Sequence, residues 1–225
     1  MLTIEKTVLP SPEQWEIIIE GMRNPMNSWD KSDSHGEMIE YDGMYVGEDA
    51  HKFTLGEADH QLMTNLAKGG AVHAKYRRMI PVFLTINAPL YWWKEFDTYK
   101  VGTVANSCST MHKIHSKEFT LDDFSCEHMA TSLGETFESL DALMVVVDCL
   151  NKFRGFYLKT KDKRYWWQMI QLLPTSYNQK RTVMLNYEVL VNIYHSRKNH
   201  KLDEWHTFCD WIQNLPHSDL ITMGE

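Results

Sequence analysis

The short polar stretch 98–113 (TYKVGTVANSCSTMHK) carries the densest group of side chains that could bind a ligand. It is rich in hydroxyl and amide groups and follows a strongly apolar segment. Small polar side chains and exposed backbone N–H groups are suited to holding a phosphate or the polar edge of a base. Many ordinary loops have the same composition, so the pattern by itself only nominates a candidate site.

A second candidate is Arg197, near the end of a predicted helix. Val183, Leu190 and Ile193 share one face of that helix by the 3.6-residue repeat, and Asn186 and Arg197 fall on the same face. A guanidinium is costly to bury without a partner. Either Arg197 extends to water or caps the helix dipole, or it reaches an anionic ligand lying over the helix. The pattern leaves both interpretations open.

Other side chains that could carry chemistry favour structural roles. His112 and His115 are three residues apart, but no third ligand has a suitable spacing, so no metal site is predicted. The cysteines form no CxxC pair, which favours free thiols over a zinc site or disulfides: Cys108, Cys126, Cys149 and Cys209. The pairs Trp92–Trp93 and Trp166–Trp167 are predicted to lie in the core or at a subunit interface.

The composition is that of a folded protein with one sizeable core. Of 225 residues, 43% are apolar and 24% are charged. A net charge of -7 argues against a nucleic-acid polymer as partner, although a few well-placed cations can still hold a small anion. No apolar run approaches the ~20 residues of a membrane helix, and the start of the sequence has no signal-peptide pattern. We therefore expect a cytoplasmic protein that does not bind a membrane.

The elements that must position these residues follow from periodicity and capping signals. Helices are predicted over residues 11–23, 57–68, 130–158, 162–172, 181–198 and 201–214. An apolar strand is predicted over 79–91, delimited by Pro81 and Pro89. Residues 24–55 are predicted to be loop with short strands, and 92–117 to be irregular.

The segment 86–113 resembles the signature of the flavin-dependent thymidylate synthases. Ala88–Pro89–Leu90–Tyr91 matches the approach to that signature, and Asn106 and Ser109 keep its Asn-x-x-Ser spacing. The last helices of the family are matched, in order and spacing, by Leu173–Pro174, Leu185–Asn186, Asn192 and Arg197. Two blocks in the right order are more specific than either block alone.

The resemblance covers about residues 57–215 and implies a single domain over 1–225, with a variable part at 1–56. It implies an α/β (α+β) fold with a central, mostly antiparallel sheet flanked by helices, assembled as a homotetramer. The implied reaction is the FAD-dependent reductive methylation of dUMP to dTMP, with methylenetetrahydrofolate and NADPH as co-substrates. In that chemistry the protein positions the uracil against the flavin, so no catalytic nucleophile is expected.

The resemblance also implies roles for individual residues. Those matched to nucleotide contacts are Arg197, Ser107, Cys108, Ser109 and Glu95, with residues 107–109 forming the turn that receives the phosphate. Those matched to flavin contacts are Asn186, Asn192, Lys100, Tyr99, Asn106 and Arg78.

The family's arginines are largely missing from this sequence. Its Arg-His-Arg reads as Thr98–Tyr99–Lys100, or as Tyr99–Lys100–Val101 in a shifted register, and its closing Arg-Tyr reads as Met111–His112. Losing an arginine removes a bidentate grip on phosphate. Candidate replacements on the phosphate side are Lys113, Arg164, Lys180 and Arg181, and Arg77 could join Arg78 on the flavin side.

These departures leave three interpretations open. The chain methylates dUMP with an altered pocket, or it methylates or hydroxymethylates another pyrimidine nucleotide, such as UMP or dCMP. Alternatively, it is a non-catalytic member that has lost flavin. Substrate choice depends on pairing the polar groups of the ligand. Changes in the residues that hold the nucleotide and flavin therefore decide between the first two interpretations, which differ in their substrate.

Overall fold

The chain folds into a mixed arrangement of helices and strands, and the computed structural model describes residues 1–38, 40–41, 44–45, 51–131 and 136–223. The helices are α1 (Pro12–Arg23), α2 (Glu57–Lys68), α3 (Leu90–Phe96), α4 (Ser139–Thr160), α5 (Lys163–Leu172), α6 (Tyr187–Arg197), α7 (Asp203–Gln213) and α8 (Asp219–Thr222). The strands are β1 (Thr3–Val8), β2 (His35–Met38), β3 (Glu40–Tyr41), β4 (Met44–Tyr45), β5 (His51–Thr54), β6 (Pro81–Pro89), β7 (Val104–Ser107) and β8 (Asn178–Asn186).

Four of the strands form one sheet in the order β1-β6-β8-β7. In the middle of this sheet the hydroxyls of Thr85 and Thr182 lie 3.2 Å apart, within hydrogen-bonding distance. Two small ribbons are antiparallel: β2 pairs with β5, and β3 pairs with β4. The predicted fold, an antiparallel sheet flanked by helices, is confirmed.

The first two helices form where local signals predict them. Ser11 accepts a hydrogen bond from the amide of Gln14, and the Gln14 side chain accepts one from the amide of Ser11, with Pro12 in the first turn. The carboxylate of Asp33 accepts the amides of Ala58 and Asp59 at the start of α2. These caps satisfy backbone donors that a helix end leaves without partners.

The predicted helix over 181–198 is wrong in its first part. Residues 178–186 form β8, and the helix begins only at Tyr187. Burial alternates along β8, with Val183 and Leu185 buried and Thr182 exposed, which is the period of a strand. Val183 and Asn186 therefore do not share a helical face with Leu190 and the other apolar residues of α6.

Three other boundaries also differ from the predictions. The stretch 92–117 is not uniformly irregular, because α3 covers its beginning and β7 lies in its middle. Tyr91, placed in the apolar strand, belongs to α3. The helix predicted over 130–158 begins at Ser139, where a capping box forms with Glu138 and Asp141. Residues 132–135 and part of 24–55 lie outside the described residues.

The chain divides into two compact units, and the first comprises Met1–Glu5, Thr85–Thr98 and Ala105–Thr182. In it, α4 packs on α5. The buried core of this unit includes Ile114, Phe119, Phe124, Leu143, Val147, Leu150 and Met169. Trp92 and Trp93 are fully buried, with ring centroids 4.9 Å apart, as the core interpretation predicts. Trp167, in contrast, is 45% exposed.

The second unit comprises Lys6–Leu84, Tyr99–Val104 and Val183–Glu225. Its centre is α6, where Tyr187, Leu190 and Ile193 are fully buried. A buried ion pair between Arg23 and Asp59, with 2.5 Å between nitrogen and oxygen, joins α1 to α2 in the same unit. No helix among the described residues is long and apolar enough to cross a bilayer.

Candidate functional site

The turn that follows β7 is exposed, but part of its backbone is already hydrogen-bonded. Asn106, Ser107, Cys108 and Ser109 all have exposed side chains. The Cys108 amide donates to the carbonyl of Lys180 at 2.9 Å, and the Cys108 carbonyl accepts from the side chain of Gln179 at 2.7 Å. The Cys108 N–H is therefore committed to the protein, and any phosphate held here depends more on side chains than the sequence suggested.

Ser109 organises the rest of the turn. Its hydroxyl oxygen accepts the amide of His112 at 2.9 Å and the amide of Met111 at 3.3 Å. A serine hydroxyl also carries one proton that it can donate. With its oxygen accepting from the backbone, Ser109 is suited to donating that proton to an anionic ligand oxygen in front of the turn.

This turn forms one wall of a cleft of about 540 Å³ in the first unit. We call it the turn cleft, and it is lined by Glu5, Asn87, Cys108, Ser109, Lys113, Ile114, Ser116, Lys117, Asp122, Asp123, Tyr177, Asn178 and Lys180. Three lysines therefore face one cavity together with the hydroxyl of Ser109. Such a group of donors is suited to binding a phosphate.

The charges of the turn cleft are partly paired. Lys180 lies 2.7 Å from Glu5, and Lys117 forms an ion pair with Asp123. Lys113 has no ion-pair partner within the described ranges of the chain. The cleft therefore offers one unpaired ammonium, and a bound anion would compete with Glu5 and Asp123 for the other two.

Neutral donors complete the wall of this cleft. Asn87 projects from β6 and Asn178 from β8, and the Asn178 carbonyl oxygen accepts the Ser125 hydroxyl at 2.9 Å. Burial raises the pKa of Tyr177, and the nearby Asp123 carboxylate and Cys108 raise it further. The phenol therefore stays protonated and can donate. Amides and a phenol are groups that recognise the polar edge of a base.

The structure separates the four candidate replacements for the missing arginines. Lys113 and Lys180 line the turn cleft. Arg164 instead grips Asp162, with nitrogen–oxygen distances of 2.9 and 2.6 Å. Arg181 donates to Asp97 at 2.8 Å, and its guanidinium carbon lies 4.2 Å from the Trp93 ring centroid. Both arginines are committed to protein contacts, so the lysines are the better candidates.

A second group of predicted residues lies in the second unit, around Arg197 at the end of α6. Its Nε donates to the Tyr99 hydroxyl at 2.9 Å. Its guanidinium carbon lies 4.8 Å from the Trp205 ring centroid and 5.6 Å from that of Tyr99. Arg197 is only half-buried, so the aromatic contacts hold a planar cation that still reaches the surface.

Asn186 caps α6 and contacts the segment that carries Tyr99. Its side-chain oxygen accepts the amide of Val189 at 3.1 Å. Gly102 has φ +80°, and a Cβ there would lie 3.2 Å from Asn186 Nδ2 and from Val189. This close approach places Nδ2 of Asn186 beside the 99–104 backbone, so the structure brings Tyr99, Asn186 and Arg197 into one region of the unit.

The other residues predicted to contact flavin are more exposed. Asn192 donates from its amide to the Glu188 carbonyl at 3.0 Å within α6, and Lys100 and Arg78 are exposed. Arg77, next to Arg78, is only 4% exposed, and its Nε has no hydrogen-bond partner among the described residues.

Thr103 Oγ1 and Glu188 Oε2 are also buried without a partner in the part of the chain that the structure describes. Buried polar atoms are usually hydrogen-bonded, so these atoms mark places where water or a ligand could supply the missing partner. The unit thus contains amide, hydroxyl and guanidinium groups of the kinds that bind a flavin ring and its pyrophosphate.

Three predicted residues of the first unit do not line the turn cleft, and one of them is Ser107, at the end of β7. Glu95 lies on α3 in the first unit, half-buried, and does not line the turn cleft. Asn106 lies on β7 in that unit and does not line the cleft either. Sequence reasoning missed Lys117 and Tyr177, which enter the cleft from distant parts of the chain without a recognisable local pattern.

Comparison with known proteins gives a clear result for the fold alone. No protein-family model matches the chain, and no curated protein sequence is significantly similar to it. Thymidylate synthase X (ThyX) from Helicobacter pylori, solved with FAD and dUMP, has a similar structure, with a TM-score of 0.64 at 15% identity. That match covers 99% of this chain and 97% of the other. A second structure of the same Helicobacter pylori enzyme, also with FAD and dUMP, gives 0.61 at 14% identity, over 98% and 97% of the two chains. The chain therefore has a ThyX-like fold.

Proposed function

We propose that this chain catalyses the FAD-dependent reductive methylation of dUMP to dTMP, with methylenetetrahydrofolate as carbon donor and NADPH as reductant. The turn cleft carries the proposal, because Ser109, Lys113 and Lys180 converge there on one cavity. The turn that supplies Ser109 is the one the sequence resemblance matches to the phosphate-receiving turn. The likeness over nearly the whole length to structures that hold FAD and dUMP supports the same conclusion.

In this proposal the turn cleft binds the nucleotide monophosphate. Lys113, and Lys180 once released from Glu5, neutralise the phosphate, and Ser109 donates its hydroxyl proton. Neutral donors line the same cleft, namely the side-chain amides of Asn87 and Asn178 and the phenol of Tyr177. They are suited to orienting the sugar and base, which is the main contribution that positioning makes to catalysis.

The second unit supplies the proposed flavin contacts. Asn186, Asn192, Tyr99, Lys100 and Arg78 would hold FAD, as the resemblance implies. When bound and reduced, the flavin supplies the hydride that converts the transferred methylene group to a methyl group. The role of the protein is to hold the two partners and exclude water, and we assign no protein nucleophile.

We assign Arg197 to nucleotide binding, as the resemblance implies. Its guanidinium is stacked on Trp205 and hydrogen-bonded to Tyr99, which fixes its plane. A fixed guanidinium offers paired donors to an acceptor edge or an anionic oxygen at a low cost in side-chain entropy.

We further propose that residues 1–225 act as one domain, that the protein is cytoplasmic, and that it assembles into a homotetramer. A tetramer would complete the sites at its subunit interfaces, in the way that the resemblance implies. Size-exclusion chromatography with light scattering tests the assembly, and a monomer with full activity would contradict it.

A second substrate class is favoured by one observation. Asp122 lines the turn cleft, and its carboxylate has no partner among the residues the structure describes. A carboxylate accepts hydrogen bonds only, so it favours a ligand with an added donor, such as the cytosine amine of dCMP or the ribose 2′-hydroxyl of UMP. A related methylation or hydroxymethylation of such a nucleotide is the alternative function.

The first experiment is the visible absorption spectrum of the purified protein, before and after denaturation. About one flavin per chain supports the flavoenzyme. A colourless protein that also fails to bind added FAD would leave only a non-catalytic role. Incubation with methylenetetrahydrofolate, NADPH and either dUMP, UMP or dCMP then identifies the substrate, and formation of dTMP only from dUMP would reject the alternative.

A further inference from the structure

A second cleft, of about 370 Å³, lies in the first unit beside the hairpin that α4 and α5 form. We call it the hairpin cleft, and it is lined by His112, Tyr157, Lys161, Lys163 and Trp166. It shares no lining residue with the turn cleft. Its volume corresponds to about a dozen water molecules at ~30 Å³ each, which is more space than a single phosphate needs.

Apart from the Tyr157 hydroxyl and the Trp166 indole, the polar lining of the hairpin cleft consists of basic groups. Lys161 and Lys163 supply two ammonium groups, and His112 supplies an imidazole. No carboxylate from the described ranges of the chain lines this cleft, and Asp162, between the two lysines, is gripped by Arg164. A chain with a net charge of -7 thus concentrates positive charge at one concave site, which attracts anions.

Each ammonium lies over an aromatic ring of the same cleft. The Lys161 nitrogen is 5.7 Å from the Tyr157 ring centroid, and the Lys163 nitrogen is 5.9 Å from that of Trp166. Such contacts restrain flexible lysines weakly at exposed sites. The lysines therefore converge on the cavity beside two ring surfaces, instead of extending independently into water.

The backbone conformation at Lys161 favours glycine over lysine. Lys161 ends α4 with φ 57°, the left-handed conformation that glycine adopts most easily. Any residue with a Cβ is strained in that conformation compared with the right-handed form. The position would be served better by glycine if it only had to end the helix.

His115, which contacts Tyr157, lies in the same positively charged environment, as the lowered pKa of its imidazole shows. Its ring contacts that of Tyr157, with centroids 4.9 Å apart. Burial lowers the pKa of His115, and the charges of Lys161, Lys113 and Arg154 lower it further. The neutral imidazole leaves the cationic character of this region to the lysines and the arginine.

We propose that the hairpin cleft binds a nucleoside polyphosphate. Lys161, Lys163 and His112 hold the phosphates, and the rings of Trp166 and Tyr157 hold the base. Two ammonium groups and an imidazole match a ligand with at least two adjacent phosphates better than a monophosphate. Stacking on an aromatic ring accepts any base, so the site selects for charge and a planar ring more than for base identity.

The hairpin cleft is also connected to the turn cleft through the turn itself. The amide of His112 donates to Ser109, which lines the turn cleft, and the Trp166 indole donates to the carbonyl of Met111 at 3.0 Å. Residues 109–112 thus contact both clefts. A ligand in the hairpin cleft touches the same turn that we assign to the substrate phosphate, although binding at the hairpin cleft does not depend on that assignment.

The test is calorimetric titration of the full-length protein with GTP and with inorganic pyrophosphate, at low salt and without divalent cations. GTP avoids both the pyrimidine of the proposed substrate and the adenine of FAD. We expect GTP to bind, and the double variant Lys161→Gln/Lys163→Gln to bind it at least tenfold more weakly. Trp166→Ala is expected to weaken GTP several-fold and to leave pyrophosphate unchanged, because only GTP has a base to stack.

Two matched controls locate the binding. Lys159→Gln removes an exposed ammonium from the same helix end without touching the cleft, and it should bind GTP as the wild type does. Lys180→Gln, in the turn cleft, should also leave GTP binding unchanged. The proposal fails if the wild type does not bind GTP, or if the double variant binds it as tightly as Lys159→Gln does. It also fails if Trp166→Ala binds GTP as tightly as the wild type does, because the ring would then not hold the base.

Discussion

Arg197 donates a hydrogen bond from Nε to the hydroxyl of Tyr99, across 98 positions of sequence and over 2.9 Å. The contact therefore joins two residues that the sequence resemblance singles out, one from each of its two matched blocks. The 99–104 segment and the end of α6 are joined by this bond, and the guanidinium is held in place while still partly exposed.

The first prediction concerns this pair. Tyr99→Phe keeps the ring and removes the hydroxyl, so Arg197 should lose orientation, and the Kd for dUMP should rise about 3- to 10-fold, the scale of one ordinary hydrogen bond. Arg197→Lys keeps the charge but loses the planar stack on Trp205, and a larger rise of about 10- to 100-fold is expected. Calorimetric titration with dUMP measures both.

Arg164→Lys is the matched control, because Arg164 is exposed and engaged with Asp162 outside both clefts. It should leave the Kd for dUMP unchanged. If Arg197→Lys also binds dUMP like the wild type while its Tm falls, Arg197 is a structural residue and our assignment to the nucleotide is wrong.

The second prediction separates two roles of Asn186. Asn186→Ala removes the cap of α6 and should destabilise the fold by about 1 kcal/mol, typical for a lost N-cap. Asn186→Asp keeps an oxygen for the Val189 amide and adds negative charge at a helix N-terminus, which is favourable. It removes only the Nδ2 donor, so we expect normal stability with a reduced flavin content.

Denaturant unfolding and the flavin absorbance of the purified variants measure the two roles independently. If Asn186→Asp retains flavin at the wild-type ratio, Asn186 acts only as a helix cap. The same measurements on Asn65→Asp, a change at an exposed position of α2 that keeps the oxygen accepting from Gln61 and that we do not assign to flavin, show whether a new negative charge alone lowers flavin binding.

Comparison of sequence and structure shows which signals were local. Helices α1 and α2 were predictable because Ser11, Pro12 and Gly69 sit beside the backbone groups they affect. Strand β8 was not, since Val183 fits a helical repeat with Leu190 as well as an alternating one with Leu185. Its pairing with β6 decides the outcome, and that partner is 97 positions away, as the Thr85–Thr182 contact shows.

The sequence predicted the kinds of side chain in the candidate site, but it identified only some of the residues that line the turn cleft. Ser109, Lys113 and Lys180 were identified from a motif and from the need to replace lost arginines. Arg164 is not a phosphate candidate because it pairs with Asp162, two residues away in the sequence. Arg181 is not one because it pairs with Asp97, which only the fold brings near. Tyr177 and Lys117 reach the cleft from separate segments, and no local spacing marks such convergence.

The third prediction concerns the buried pair in the second unit. Asp59 is fully buried and accepts hydrogen bonds from Arg23, from the Ser32 hydroxyl, and from both the amide and the hydroxyl of Ser34. Removing one partner of a buried ion pair typically costs about 3–5 kcal/mol, and we expect Asp59→Asn to lower the free energy of unfolding by that order. Asp30→Asn, at an exposed position, should change it little.

The same carboxylate gives an acid dependence of stability. Burial raises the pKa of Asp59, but the hydrogen bonds from Ser34, Ser32 and Arg23 outweigh it, so the pKa lies below the ordinary value. Because the pKa is lower in the folded state, the ionised carboxylate stabilises the fold at pH values above the ordinary Asp pKa of about 4. This stabilisation is lost as the pH falls toward the folded-state pKa. Urea unfolding from pH 7 to 3 should therefore show a shallower acid loss for Asp59→Asn than for the wild type. Equal slopes would show that this pair is not linked to acid unfolding.

The last prediction uses the ion pair at the edge of the turn cleft. Glu5 and Lys180 are each nearly half-exposed, so their pair contributes little to stability, but it competes with any anion for the ammonium of Lys180. Glu5→Gln should tighten binding of dUMP about two- to fivefold at low salt, while Lys180→Gln should weaken it. Glu118→Gln removes an exposed carboxylate of the same unit that does not line the cleft, and it should have a smaller effect. Near 1 M salt, where the Debye length is about 3 Å, the gain should disappear. If Glu5→Gln weakens binding, the carboxylate contacts the ligand itself, and Lys180 is not the phosphate ligand that we propose.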